Sequence, residues 1–192
     1  MKRLPATAAA LAGLAVLALP PVRRLLESSM SLHMLVQFPL VVAAGYFLAR
    51  ALPTAWRRHV DGWNAHGIAG LLACALTLMV LMIPRLLDLV LVDARAEAAK
   101  WLALLACGAA LQLSWRRAGL LVQAFFLGNL LPMMAAAGQL YQDAPLRLCN
   151  AYLLDDQVRL GQGLVILSVL GAIGAIAVGL RRAKLWPARA SA

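Results

Sequence analysis

The chain has 192 residues, of which 63% are apolar and only 14% are charged. A soluble domain is usually about 45–50% apolar and about 25% charged, because polar residues must cover its surface. This composition excludes an ordinary soluble fold and predicts an integral membrane protein. The formal charge of +10 does not indicate nucleic-acid binding, since the basic residues form short clusters between apolar runs.

Six apolar runs are long enough to form membrane helices, each of which needs roughly 20 predominantly apolar residues. In chain order they are 5–22, 30–52, 67–92, 98–115, 118–139 and 160–180. The sequence therefore predicts an all-α fold, a polytopic transmembrane helix bundle of about six helices, with residues 1–192 as a single membrane domain. We expect the first run to be a retained helix and not a cleaved signal peptide, because no clear small-x-small cleavage site follows it.

The basic residues predict the orientation, because Lys and Arg concentrate in cytoplasmic loops. With the N-terminus inside, eleven of the eighteen Lys and Arg residues lie on the inner side. These eleven are Lys2, Arg3, Arg50, Arg57, Arg58, Arg116, Arg117, Arg181, Arg182, Lys184 and Arg189. Asp61 is the one acidic residue on that side, and the other seven lie at or near the outer face. The sequence thus predicts a multi-pass protein of the bacterial inner membrane with both termini cytoplasmic.

Candidate metal ligands gather toward the predicted outer side. Met30, His33 and Met34 share a helix face with Gln37, because their spacing is i, i+3, i+4 and i+7. Met133, Met134 and Cys149 lie toward the same side. Thioether, thiolate and imidazole are ligands that suit the soft cation Cu(I). The alternative is a methionine-filled core with one hydrogen-bonded histidine and no metal.

Charged residues at the outer side suggest two further features. Arg85 and Asp88 are three residues apart, which predicts a direct ion pair on one helix face. Asp155, Asp156 and Gln157 stand where the chain re-enters the membrane. Acidic residues are favourable near a helix N-terminus. Of the two carboxylates, Asp155 and Asp156, one is expected to cap the helix, and the other is free to bind a cation or a partner.

Two short segments resemble the CtaG-type cytochrome c oxidase assembly proteins. The Asp156-Gln157 pair, followed by Gly161 and Gly163, is similar to the DQ pair and glycines that open a late helix in that family. The His33-Met34 pair followed by Gln37 is similar to its His-Met-x-Gln-His segment, although Phe38 stands where the second histidine would be. The resemblance implies a membrane-embedded factor that helps deliver copper to a haem–copper oxidase.

The leading hypothesis is therefore a non-enzymatic assembly factor for a terminal oxidase, with membrane lipid and an oxidase subunit as partners and copper bound at the periplasmic side. The alternative is a structural accessory subunit of a respiratory or other membrane complex, without a metal. No HExxH motif, serine–histidine arrangement or phosphate-binding loop supports an enzyme. The three cysteines form no closely spaced pair, so the sequence predicts neither a CxxC motif nor a disulfide framework.

Overall fold

A computed structural model describes residues 4–185. Within that range the chain forms nine helices: α1 Leu4–Ala18, α2 Pro20–Glu27, α3 Met30–Ala49, α4 Thr54–Trp63, α5 Ile68–Leu81, α6 Pro84–Val92, α7 Ala94–Trp115, α8 Leu120–Asp143 and α9 Leu154–Leu185. Residues 4–185 contain no β-strand, and the predicted all-α fold is confirmed.

Four helices, α3, α7, α8 and α9, are each long and apolar enough to cross a bilayer. Two bent pairs raise the number to six if each counts as one span: α1 with α2, bent by 74°, and α4 with α5, bent by 86°. The chain is therefore a multi-pass membrane protein, and the predicted six spans are the upper end of the range.

The apolar run 67–92, predicted as one span with a kink at Pro84, forms two helices. Helix α5 ends at Leu81, and α6 begins at Pro84 in a new direction after an extended Ile83. Proline has no N–H for the helical ladder and fixes its own φ, so it starts a helix more readily than it continues one. The same chemistry ends α1 at Ala18, because Pro20 opens α2 and shortens the predicted 5–22 helix.

The helix ends are sorted onto two faces of the bundle. On one face, Arg23 in the middle of α2 binds Glu97 in the first turn of α7, with Nη1 2.9 Å from Oε2. Asp156 at the start of α9 accepts a hydrogen bond from Ser29 just before α3, with its Oδ1 2.8 Å from Oγ. We call this end of the bundle, together with α6 and the 144–153 loop, the acidic face.

The opposite face carries contacts of its own. Asn64 Nδ2 donates to Ser114 Oγ at 2.8 Å, Arg117 pairs with Asp61, and Arg182 Nη1 donates to Gln123 Oε1 at 2.9 Å. This grouping agrees with the two sides inferred from the charges. Which side is cytoplasmic stays a prediction, and Lys2, Arg3 and Arg189 lie outside the described residues.

Small residues let the helices approach closely. A Cβ added to Gly138 of α8 would lie 2.6 Å from the carbonyl oxygen of Gly161 in α9, so the two backbones touch at this crossing. A Cβ on Gly108 of α7 would lie 2.7 Å from the backbone nitrogen of Tyr46 in α3. Such contacts are typical of membrane helices, where packing supplies much of the attraction. These two crossings hold α8 against α9 and α7 against α3.

Candidate functional site

A buried lysine lies at the centre of the polar residues beneath the acidic face. Lys100 is the seventh residue of α7, about 9 Å along a helix that rises about 1.5 Å per residue. Its side chain is only 1% exposed. Its ammonium nitrogen lies 3.2 Å from Glu27 Oε1, 2.9 Å from His33 Nε2 and 3.1 Å from Gln37 Oε1. These three contacts match the three donors of an ammonium group.

Glu27 supplies the negative charge beside this lysine. It is the last residue of α2, and its side chain is 11% exposed. Its Oε2 also lies 3.5 Å from Arg23 Nε, and Arg23 in turn binds Glu97. Buried charges in membrane segments are costly unless they are paired. The chain of pairs therefore ties the ends of α2 and α7 to the interior of the bundle.

His33 is fully buried, and both of its ring nitrogens have partners. Nδ1 lies 2.7 Å from the hydroxyl oxygen of Tyr152, and Nε2 lies 2.9 Å from the lysine nitrogen. A neutral imidazole has one N–H donor and one acceptor, so these contacts use its full hydrogen-bonding capacity. Tyr152 precedes α9 in the chain, and His33 thereby links α3 and α7 to the 144–153 loop.

The backbone of α3 widens at this histidine. Residues His33–Gln37 form one turn of π-helix, closed by the bond from Phe38 N to His33 O. Pro39 follows and has no N–H to donate to the ladder, which favours a local departure from α-helical hydrogen bonding. Short π-helical turns inside α-helices are frequent at functional sites. Here the turn holds His33 and Gln37 within reach of the same ammonium group.

The predicted sulfur ligands are in part brought together. Met30, Met34 and Cys149 are buried in one hydrophobic cluster with Tyr152, and Met82 and Met134 pack against it. We call the five sulfur-containing residues, Met30, Met34, Met82, Met134 and Cys149, the sulfur cluster. Met133 is partly buried outside it. Among residues 4–185, no group of three His, Cys, Asp or Glu side chains is arranged to hold a metal ion.

The Asp155-Asp156-Gln157 segment is a junction between helices. Asp156 accepts hydrogen bonds from Ser29 Oγ and from the backbone N–H of Met30, and thus caps α3 and not its own helix. Gln157 is buried, accepts from Leu148 N at 2.8 Å and donates to Tyr141 O at 3.0 Å. Asp155 is exposed, which leaves it the freer of the two carboxylates.

The predicted Arg85–Asp88 ion pair is wrong. Asp88 accepts from the backbone N–H groups of Asn150 at 2.9 Å and Ala151 at 3.1 Å, and Arg85 is exposed. The described residues contain no ion pair between the two. Two backbone donors suit a carboxylate better than one exposed cation, because exposed ion pairs contribute little. Asp88 therefore holds the 144–153 loop against α6.

Burial keeps the titratable groups of this loop protonated. Burial raises the pKa of the Cys149 thiol to about 12, with Asp88 adding to the effect. The pKa of the Tyr152 phenol is also raised, first by burial and then by the negative charge of Glu27. Because the Lys100 ammonium donates to Nε2, His33 Nδ1 carries the ring N–H and donates to the hydroxyl oxygen of Tyr152. Cys149 and Tyr152 are therefore neutral groups buried beneath the acidic face.

Sequence reasoning missed three members of this site: Lys100, Glu27 and Tyr152. Their contacts with one another and with His33 join residues far apart in the chain, which no local pattern reveals. One signal was present. A lysine near the start of an apolar helix is expensive in a membrane and usually has a partner inside the bundle.

Comparisons of the chain with protein-family models, with curated proteins and with solved structures give no match. Function is therefore inferred from the acidic face itself and from the resemblance of its two segments.

Proposed function

We propose that the chain is a membrane-embedded assembly factor for a haem–copper terminal oxidase and that it acts through the acidic face. The contact between its two family-like segments carries this proposal. Asp156 of the Asp-Gln segment binds the backbone at Met30, one helical turn before the His33-Met34 pair. Leu160 and Leu164 of α9 pack in the same cluster as Met30 and Met34. The segments that resemble one family thus form one site.

Copper is the proposed cargo, and the sulfur cluster is the part that fits it. Its buried members are Met30, Met34 and Cys149, and Met82 and Met134 pack against them. Thioether sulfur holds Cu(I) without adding charge to an apolar site. The Cys149 thiol, whose pKa is raised, contributes a thiolate only if it loses its proton on binding.

His33 fits the same role less well. Both of its nitrogens are engaged by Tyr152 and Lys100, and the lysine carries positive charge. The metal-free alternative, an accessory subunit of a membrane complex, is supported by this closed network. In that case the network only locks helix ends together, and the acidic face is a surface for another membrane protein.

The proposed location is the bacterial inner membrane, with the acidic face toward the periplasm and both termini in the cytoplasm. The excess of Lys and Arg on the opposite side supports this orientation. No nucleic acid is expected among the partners. The exposed apolar side chains along α9, such as Ile166, Leu170 and Ile173, are suited to lipid or to the transmembrane helices of an oxidase subunit.

The copper proposal is tested by competition for Cu(I) between purified full-length protein and a chromophoric chelator. Met30→Leu with Met34→Leu removes two sulfurs while nearly keeping volume, a change that cores usually tolerate. Met79→Leu is the matched control, because Met79 is 48% exposed on α5. The assay uses Cys74→Ser/Cys107→Ser protein, so that those two thiols do not bind the ion.

We expect the parent protein and Met79→Leu to bind about one Cu(I), and the double methionine variant to lose at least tenfold in affinity. Circular dichroism must show that this variant stays folded. Absence of binding by the parent protein, or unchanged binding by the double variant, would favour the accessory-subunit alternative.

A further inference from the structure

Two cysteines that are far apart in the sequence meet inside the bundle. Cys74 lies on α5 and Cys107 on α7, and each is 2% exposed. Both side chains belong to one buried hydrophobic cluster. The Cys107 sulfur also lies 3.9 Å from the carbonyl oxygen of Cys74. A disulfide needs its two Cα atoms within about 7 Å and side chains that point toward each other. The Cys107 thiol reaches the backbone of Cys74, and both residues line one cavity, which favours the second condition.

The pair faces a cavity of about 360 Å³ in the membrane-spanning part of the bundle. The cavity is lined by both cysteines and by aliphatic and aromatic side chains, including Tyr46, Trp115 and Phe126. The rings of Trp115 and Phe126 are in edge contact, with centroids 6.3 Å apart. Ligand pockets of about 300–1,000 Å³ with mostly apolar walls suit flat organic molecules. This cavity is at the small end of that range.

We propose that Cys74 and Cys107 form a reversible dithiol–disulfide site that passes electrons to a quinone dissolved in the membrane. In the oxidation, both S–H bonds break and one S–S bond forms between the two sulfurs. The two electrons and two protons go to the quinone, which becomes a quinol. The reverse reaction restores the two thiols and oxidises a quinol.

Charge favours a disulfide over a bound metal at this position. Dithiol and disulfide are both neutral, whereas two thiolates around Cu(I) carry a net negative charge. Charge is costly in an apolar membrane interior unless a partner compensates it. The described residues that line the cavity include no Lys or Arg. The apolar cavity therefore suits the neutral dithiol and disulfide better than Cu(I)-bound thiolates.

Access favours a quinone as the electron acceptor. Both thiols are buried among apolar side chains, where a charged, water-soluble thiol such as glutathione is costly to place. Quinones are two-electron acceptors that dissolve in lipid, and their flat rings match the aromatic wall of the cavity. The disulfide would link α5 to α7, the helix that carries Lys100. This redox site does not depend on the proposed copper function.

The test uses purified full-length protein in lipid nanodiscs, reduced and then incubated with a short-chain ubiquinone. Free thiols are counted by mass after denaturation and maleimide labelling. The chain has three cysteines. We expect wild type to keep one labelled thiol, Cys149→Ser to keep none, and Cys107→Ser to keep both remaining thiols. Quinol should form in about a one-to-one ratio to protein.

Peptide mapping of the oxidised wild type guards against a misfolded variant, because it identifies the bonded pair directly. A peptide that joins Cys74 to Cys107 is the expected product. Three labelled thiols in wild type after exposure to the quinone would overturn the proposal. So would a disulfide that includes Cys149, the buried control thiol, which donates to Pro84 O at 3.4 Å.

Discussion

The Glu27–Lys100 pair predicts an unequal response to loss of either charge. Glu27→Gln keeps the shape of the side chain and leaves the buried ammonium with only neutral acceptors, His33 and Gln37. Removing one partner of a buried ion pair costs about 3–5 kcal/mol. Lys100→Met leaves the carboxylate with Arg23, whose Nε lies 3.5 Å away. That change should cost less, about 1–3 kcal/mol, which is typical of a lost buried hydrogen-bond donor.

The double variant separates pairing from simple loss of contacts. With both charges gone, no unpaired ion remains, so Glu27→Gln with Lys100→Met should unfold with a smaller penalty than the sum of the single variants. The expected coupling energy is about 1–3 kcal/mol. The measurement is the free energy of unfolding of full-length protein, from titration of mixed micelles with a denaturing detergent followed by circular dichroism. Arg95→Met, an exposed cation on the same helix, is the control and should change stability by less than about 0.5 kcal/mol.

Additive effects of the two single variants would contradict the pairing of Glu27 with Lys100. The same holds if Lys100→Met is the more damaging single variant, because the buried ammonium would then not be the group that depends on its partner.

Three further predictions follow from named contacts and are measured on the purified protein. Asp156→Asn weakens the cap of α3 and should lower the free energy of unfolding by about 1–2 kcal/mol. Asp155→Asn, at an exposed position, should change the free energy of unfolding little. Equal effects of the two variants would contradict the role of Asp156 as the cap. Gly138→Ala should destabilise the crossing of α8 with α9, whereas Gly174→Ala, where a Cβ meets nothing within 4 Å, should be neutral or stabilising in the same titration. Because burial raises the Cys149 pKa to about 12, its thiolate is scarce below that pH, and iodoacetamide should modify native protein at pH 8 far more slowly than denatured protein. The shift also means that the thiol contributes stability which is lost as pH rises from about 9 toward 12. Equal alkylation rates in native and denatured protein would contradict this assignment.

The sequence predicts the helical membrane fold because composition and the length of apolar runs are global properties. It also groups the charged residues onto two sides that agree with the contacts at the two faces. It places helix bounds less well, since the predicted helix over 5–22 ends at Ala18 and a second helix begins at Pro20.

The site was predicted only in part, for a physical reason. His33 and Gln37 were recognised by their helical spacing, and they do share a partner in Lys100. The pairing of Arg85 with Asp88 was inferred from the same kind of spacing, but the loop offered Asp88 two backbone donors. Contacts between distant segments depend on how helices pack, and local spacing does not encode that.

The same limit hid the contact between Cys107 and Cys74. Cys74 and Cys107 are separated by 33 positions, and their meeting depends on the packing of α5 against α7. A motif search therefore finds no redox pair, although the packed helices bring the two cysteines into contact.

The proposed assembly function is best tested by the copper-to-haem ratio of the terminal oxidase purified from cells that lack this chain. We expect an oxidase that retains haem and has lost much of its copper. Wild-type protein should restore the ratio, and Met30→Leu with Met34→Leu should not. An oxidase with full copper content in the absence of the chain would contradict the assembly function.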